Sequence, residues 1–236
     1  MSLLCIGHRG AKGHAPENTL RSFRKAIELG VDMVEVDVHS HPQELLVLHD
    51  HRLERTVDGR GRVAESDLSY IRGLDAGEGE HIPTVGEVIE CIDGRVQINF
   101  ELKTGTGTAR LLADELQRQQ AAGRIRLDQV LVSSFDHHEL LAMSQHLPEV
   151  RLGALYAGVP LDLAADAERL GAWSAHLHSE FCPQTFIADA RRRGLKVLIY
   201  TANEADDIER LIRLGVDGLF TDYPERVLER RDRPGA

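Results

Sequence analysis

Apolar positions follow two alternating periods along this chain. Short runs rich in β-branched and aliphatic residues occur at Leu3–Gly7, Met33–Val38, Val96–Leu102, Gln129–Ser133, Arg151–Tyr156, Ser174–Leu177, Lys196–Thr201 and Asp217–Thr221, and each reads as a strand. Between and after them, residues 18–29, 84–92, 107–121, 136–146, 161–170, 184–193, 204–214 and 224–230 read as helices. Ile208, Leu211, Ile212 and Leu214, for example, form a largely one-sided stripe near the helical period. Boundary residues agree with this division. Asn18 and Asn203 stand where helix N-caps belong, and Gly30, Gly171, Gly194 and Gly215 where a left-handed C-cap is expected. Eight strand–helix units predict an α/β fold, a closed parallel (β/α)8 barrel, with an open doubly wound sheet as the alternative.

One stretch interrupts the alternation. After Val38 a second strand-like run, Leu45–His49, follows too soon for a crossover helix, so the two runs predict a hairpin. The hairpin would turn near Pro42-Gln43 and return His49 beside the level of Asp37. Residues 50–82, rich in Gly and charge, predict the remainder of an insertion of about 39–82 covering one end of the barrel.

Composition narrows the class. A chain of 236 residues suits one domain, spanning residues 1–236. Its net charge of −10 argues against general attraction to nucleic acid or an anionic membrane. No apolar run approaches the roughly 18 residues a membrane span needs, and Met1–Gly7 is too short and uncharged for a secretory signal. Cys5, Cys91 and Cys182 are widely spaced, as expected of buried thiols in a reducing cytoplasm.

The candidate chemistry gathers at strand ends. Glu35 and Asp37 alternate with Val34, Val36 and Val38, so both carboxylates face one side of their strand. Such a pair is either the solvated face of an edge strand or the seat of a positive group, most often a metal ion. Glu101 and Lys103 share a face at the end of the next strand of the alternation, and His8-Arg9 follows the first. In an α/β barrel these C-terminal ends converge on one rim, where active sites are built. Glu35, Asp37 and Glu101 carry −3 against +2 from Arg9 and Lys103, so one divalent cation would turn a site of about −1 into one of about +1. Three carboxylates without sulfur suit Mg²⁺, Ca²⁺ or Mn²⁺. Arg9 and Lys103 then suit a phosphate, and His8 and His49 an acid and a base near neutral pH.

The ordered series His8-Arg9-Gly10, Pro16-Glu17-Asn18-Thr19, Glu35-Val36-Asp37-Val38, His49-Asp50, Arg55-Thr56, Asn99-Phe100-Glu101-Leu102-Lys103, Ser133-Ser134-Phe135, Tyr200-Thr201-Ala202-Asn203 and Thr221-Asp222-Tyr223-Pro224 resembles the glycerophosphodiester phosphodiesterase family over nearly the whole chain. The resemblance implies a phosphatidylinositol-phospholipase-C-like TIM barrel and hydrolysis of deacylated phospholipid head groups to sn-glycerol 3-phosphate and an alcohol. It further implies His8 and His49 as catalytic histidines, Glu35, Asp37 and Glu101 as metal ligands, and Arg9 and Lys103 as phosphate contacts. The chain departs from the family pattern at Ser40-His41-Pro42-Gln43-Glu44, where members usually have Thr-x-Asp-Gly, and at Tyr200 and Ala202 near the alcohol pocket.

Weaker features receive ordinary assignments. His39 and His41 read as solvated residues of the hairpin turn, and His176 as a packed residue. Phe135 and Tyr200 read as an apolar wall for the substrate or as core. Gly105-Thr106-Gly107-Thr108 lacks the P-loop Lys and starts the helix at 107, and Ser133-Ser134 is no esterase elbow. Three rival functions follow: a Schiff-base aldolase using Lys103, a non-catalytic ion- or phosphate-binding barrel, and a lysophospholipase-D-type enzyme acting on lipids.

Overall fold

A computed structural model describes residues 3–103 and 107–232. Its strands are β1 (Leu4–Gly7), β2 (Met33–Ser40), β3 (Leu45–Val47), β4 (Gln97–Leu102), β5 (Val130–Ser134), β6 (Arg151–Tyr156), β7 (Ser174–His178), β8 (Lys196–Tyr200) and β9 (Gly218–Thr221). The helices are α1 (Leu20–Leu29), α2 (Leu68–Arg72), α3 (Val85–Ile92), α4 (Thr108–Ala121), α5 (His137–His146), α6 (Ala165–Arg169), α7 (Gln184–Arg192), α8 (Ala205–Leu214) and α9 (Pro224–Arg231). Parallel pairing runs β1-β2-β4-β5-β6-β7-β8-β9 and returns from β9 to β1, which closes the barrel. The open doubly wound alternative is thereby excluded.

Alternation along each strand builds two cores. Val34, Val36 and Val38 of β2 join Ile98 and Phe100 and the apolar faces of the helices in the layer outside the sheet. Ile6, Met33, Leu131, Leu198 and Phe220 pack together as a separate cluster. Met33 shares its strand face with Glu35 and Asp37, so β2 climbs from this apolar plug to two carboxylates at its C-terminal end. The register sets Glu35 opposite Asn99 and Asp37 opposite Glu101, which brings the third carboxylate to the same level.

The predicted hairpin forms: β3 pairs antiparallel to the end of β2, with Val38 opposite Val47 and Ser40 opposite Leu45. The segment after it has a small core of its own, in which Leu46, Leu48, Leu53, Val57, Val63, Ile71, Ala76 and Ile82 are buried together. Helix α2, five residues long, is too short to show a helical period and was not expected. This packing corrects the assignment of His39 and His41, which are buried at 5% and 6% exposure rather than solvated. The His39 Nε2–H donates to the His49 carbonyl at 3.0 Å and that of His41 to the Ser66 carbonyl at 2.9 Å. Burial pushes His39 down to about 4.

Both asparagine caps are also corrected. Thr19 caps α1, accepting from the Ser22 N–H, and Glu204 holds the cap position of α8. Helix α6 is shorter than residues 161–170 because Leu163 takes a left-handed φ of 52° just before it. Gly107 begins α4 as expected, and Glu139 accepts from the N–H groups of Gly107 and Ala109 at 2.8 and 2.7 Å. Gly105 and Thr106 lie outside the described residues.

Candidate active site

The loop after β1 is shaped by backbone needs before it does chemistry. Arg9 takes a left-handed φ of 52°, and its carbonyl accepts from the Asn18 N–H at 3.1 Å and from Ser22 Oγ at 2.9 Å. Gly10 follows at φ 85°, where a Cβ would meet Ser22 Oγ at 2.4 Å, so only glycine is accommodated. The turn aims the Arg9 N–H at Glu35 Oε2, 2.8 Å away.

Glu35, Asp37 and Glu101 present carboxylate oxygens that all lie within 4.8 Å of one another. Glu35 and Asp37 are 1% exposed. Burial, Asp37 and Glu101 together raise the Glu35 carboxyl well above the usual carboxylate range. Burial raises Glu101 as well, against the pull of Lys103. Asp37 goes the other way: burial opposes its charge, but Lys103 and Arg9 hold it below its usual range. Glu35 Oε1 is buried and has no partner among the described residues. A buried carboxylate oxygen without a donor, beside two more carboxylates, is the donor set of a hard divalent cation.

Two cations, Arg9 and Lys103, stand against the carboxylates. Lys103 Nζ lies 2.7 Å from Glu101 Oε1 and 3.2 Å from Asp37 Oδ1. Although burial disfavours the ammonium, Asp37 and Glu101 raise its pKa. A Schiff-base nucleophile needs the opposite shift, which argues against the aldolase reading. Arg9 Nε lies 3.2 Å from Asp37 Oδ2, and Arg9 Nη1 donates to Glu17 Oε1 at 2.8 Å.

Each candidate histidine is backed by a carboxylate that the residue patterns did not single out. His8 Nδ1 is 2.7 Å from Asp222 Oδ1, and His49 Nδ1 is 2.6 Å from Asp50 Oδ1. A proton on Nδ1 satisfies the carboxylate and leaves the Nε2 lone pair available to substrate. Burial lowers both imidazoles, so each favours its neutral form.

Two further residues were misread by position. The Asn18 Nδ2–H donates to Asp37 Oδ2 at 2.8 Å, and its Oδ1 accepts from the Asp37 N–H at 3.2 Å. Asn203 grips Asp222 in the same manner, at 2.9 and 2.8 Å. The sequence signal for Asp50 was its adjacency to His49, and for Asp222 its place just after the last strand. An asparagine before a helix carries no comparable signal.

Phe135 and Tyr200 meet edge to face with centroids 5.8 Å apart, and His178 meets Tyr200 edge to face and Phe181 at a tilt. Tyr200 Oη donates to the Tyr156 carbonyl at 2.7 Å, which fixes the ring. Phe135 is 43% exposed and is therefore no core residue. His176 is packed as expected, fully buried with Nε2 2.7 Å from Ser174 Oγ.

A sequence model of the glycerophosphoryl diester phosphodiesterase family matches residues 8–226. A glycerophosphodiester phosphodiesterase of Caldanaerobacter subterraneus is 34% identical over 97% of both chains. One of Bacillus subtilis is 30% identical over 94% of this chain and 84% of its own. Among solved structures, an Oleispira antarctica phosphodiesterase in complex with the product sn-glycerol-3-phosphate superposes with a TM-score of 0.91, at 30% identity over 98% of both chains.

Proposed function

This chain belongs to the glycerophosphoryl diester phosphodiesterase family, and from that premise we propose that it hydrolyses glycerophosphodiesters to sn-glycerol 3-phosphate and an alcohol, with a divalent cation, Mg²⁺, Ca²⁺ or Mn²⁺, on Glu35, Asp37 and Glu101. The observation that carries the reading is the buried carboxylate triad beside two imidazoles, each backed by its own carboxylate. Residues 1–236 form one domain in this reading, the segment of about 39–82 being its insertion. A cytoplasmic location is supported by the unpaired Cys5, Cys91 and Cys182. Among the described residues no helix is long and apolar enough to cross a membrane.

A cation bound at the triad would supply Lewis-acid polarisation of a phosphoryl oxygen. The chain's own residues do the rest. Arg9 and Lys103 neutralise charge growing on the phosphoryl oxygens, and both are already fixed by Asp37, Glu17 and Glu101. Of His8 and His49, one in its neutral form takes a proton from the attacking oxygen at Nε2, and the other, entering protonated on both ring nitrogens, gives its Nε2 proton to the leaving alkoxide. Phe135 and Tyr200 flank the substrate as an apolar wall.

A coupled sn-glycerol 3-phosphate assay over several head groups, with each divalent cation and with chelator, tests this directly. Release should require a divalent cation. It should fall at least about 10²-fold in His8→Ala and in His49→Ala, while calorimetric affinity for the cation is unchanged. Full turnover in both variants would remove the acid–base assignment, and no product with any cation would remove the reaction.

A further inference from the structure

We propose that Arg55, in the segment between β3 and α2, is a positioning residue for this reaction: by clamping Glu17 and Asp50 together it holds the phosphate-binding loop and the His49 strand end in register. The proposal rests on the hydrolase reading above.

Glu17 and Asp50 belong to separate loops, one between β1 and α1 and the other after β3. Each already orders one working group. Glu17 Oε1 accepts from Arg9 Nη1 at 2.8 Å, and Asp50 Oδ1 faces His49 Nδ1 at 2.6 Å. Two such acids pointed toward one place would repel and part the loops that carry them. Arg55 converts the repulsion into a bridge. Its Nη2 and Nη1 donate to Glu17 Oε1 and Oε2 at 2.7 and 3.1 Å, a forked pair. Its Nε donates to Asp50 Oδ2, and Nη2 also reaches Asp50 Oδ1 at 3.2 Å. Only a planar guanidinium offers donors in two directions at once, which a lysine ammonium on a flexible stem does not reproduce.

The side chain of Arg55 is 46% exposed, and these hydrogen bonds end on Glu17 and Asp50 rather than on Glu35, Asp37 or Glu101. Half-exposed ion pairs add little to global stability. The bridge therefore matters chiefly for alignment, where small displacements of a reacting group cost large factors in rate. Arg55 thus acts on His49 through Asp50 and on Arg9 through Glu17.

The test uses the full chain with its divalent cation. Arg55→Met should lower kcat by about 10- to 100-fold, with the melting temperature and the calorimetric cation affinity kept. Arg55→Lys should fall between Arg55→Met and the parent. In Arg55→Ala, millimolar guanidinium should restore part of kcat, and sodium at matched ionic strength should not. In an Asp50→Asn background Arg55→Met should cost a smaller factor than it does in the parent, because the Asp50 arm of the clamp is then already lost and only the Glu17 arm remains to be broken. Unchanged kcat in Arg55→Met, fully multiplicative losses, or a loss that follows the melting temperature would each overturn the clamp. A parent protein that releases no sn-glycerol 3-phosphate would overturn the hydrolase reading instead.

Discussion

Asn18 and Asn203 hold Asp37 and Asp222 with the same two-point grip, one amide donor to the carboxylate and one acceptor for the backbone N–H. Their positions before α1 and α8 made them look like caps, because a cap and a carboxylate clasp use the same side chain. His8, Arg9, Glu35, Asp37, Glu101 and Lys103 were legible because strand parity and strand-end position are properties of the sequence itself. The clasps were not, since they join residues 19 apart through backbone turns. The Asp222 contact has a measurable consequence for His8. Burial lowers the imidazole and the Asp222 hydrogen bond partly offsets this. The ring is neutral above its pKa and charged below it, and that value lies below the ordinary 6.5. Asp222→Asn removes the offset and should move the limb of kcat/KM that reports His8 to lower pH, the acid limb for a base or the alkaline limb for an acid, with kcat reduced by about 10²- to 10⁴-fold. A limb that stays put or moves toward neutrality in the pH–rate profile would contradict the assignment.

At the scale of elements, β2 and its partner β3 were readable and what covers them was not. The insertion residues Leu53, Val57, Val63, Ile71 and Ile82 follow no period of 2 or 3.6, so no pattern announced their core or the burial of His39 and His41. The return from the insertion to the barrel is fixed by a capping box at the start of α3. Thr84 Oγ1 accepts from the Glu87 N–H at 3.2 Å, and Glu87 Oε2 accepts from the Thr84 N–H at 2.8 Å. Glu87 also takes a forked pair from Arg72 of α2. Thr84→Ala should cost about 1 kcal/mol, a fall of about 2–4 °C in melting temperature for a domain of this size. Burial raises the Glu87 carboxyl, but Arg72 and the Thr84 N–H win and hold it at about 2. A carboxyl lowered on folding contributes stability above its unfolded value, near 4.5, and loses it as pH falls toward 2. Glu87→Gln should therefore destabilise at pH 7 and approach the parent near pH 2. An equal deficit at both pH values, by denaturant titration, would exclude the ionic part of the box.

On the scale of the whole molecule, eight strand–helix units gave the barrel its closure and its rim, and so the site its place. The same architecture concentrates three carboxylates in a chain whose net charge is already −10. A bound divalent cation should relieve that concentration, and at about 100 times its Kd it should add about 2.7 kcal/mol, seen as a rise in melting temperature. Glu35→Gln should raise the melting temperature of the cation-free protein, because a raised carboxyl is made neutral, and should lose most of the cation-dependent rise. A variant that is less stable without cation and still responds fully would refute the repulsion.

The mouth of the barrel is uneven, with Arg9, Glu35, Asp37, Glu101 and Lys103 on β2 and β4 or just after β1 and β4, and with the Phe135, Tyr200, His178 and Phe181 rings around β5, β7 and β8. A phosphate, the part common to every glycerophosphodiester, would meet the ionic side, while Phe135, Tyr200 and Phe181 offer no formal charge to match against one departing alcohol. Such an enzyme would be a generalist that recovers a constant fragment from a varied pool. Across choline, ethanolamine, glycerol and inositol esters, rates should follow the acidity of the departing alcohol more closely than its charge. A strict preference for one charged alcohol would show that the open side reads its guests after all.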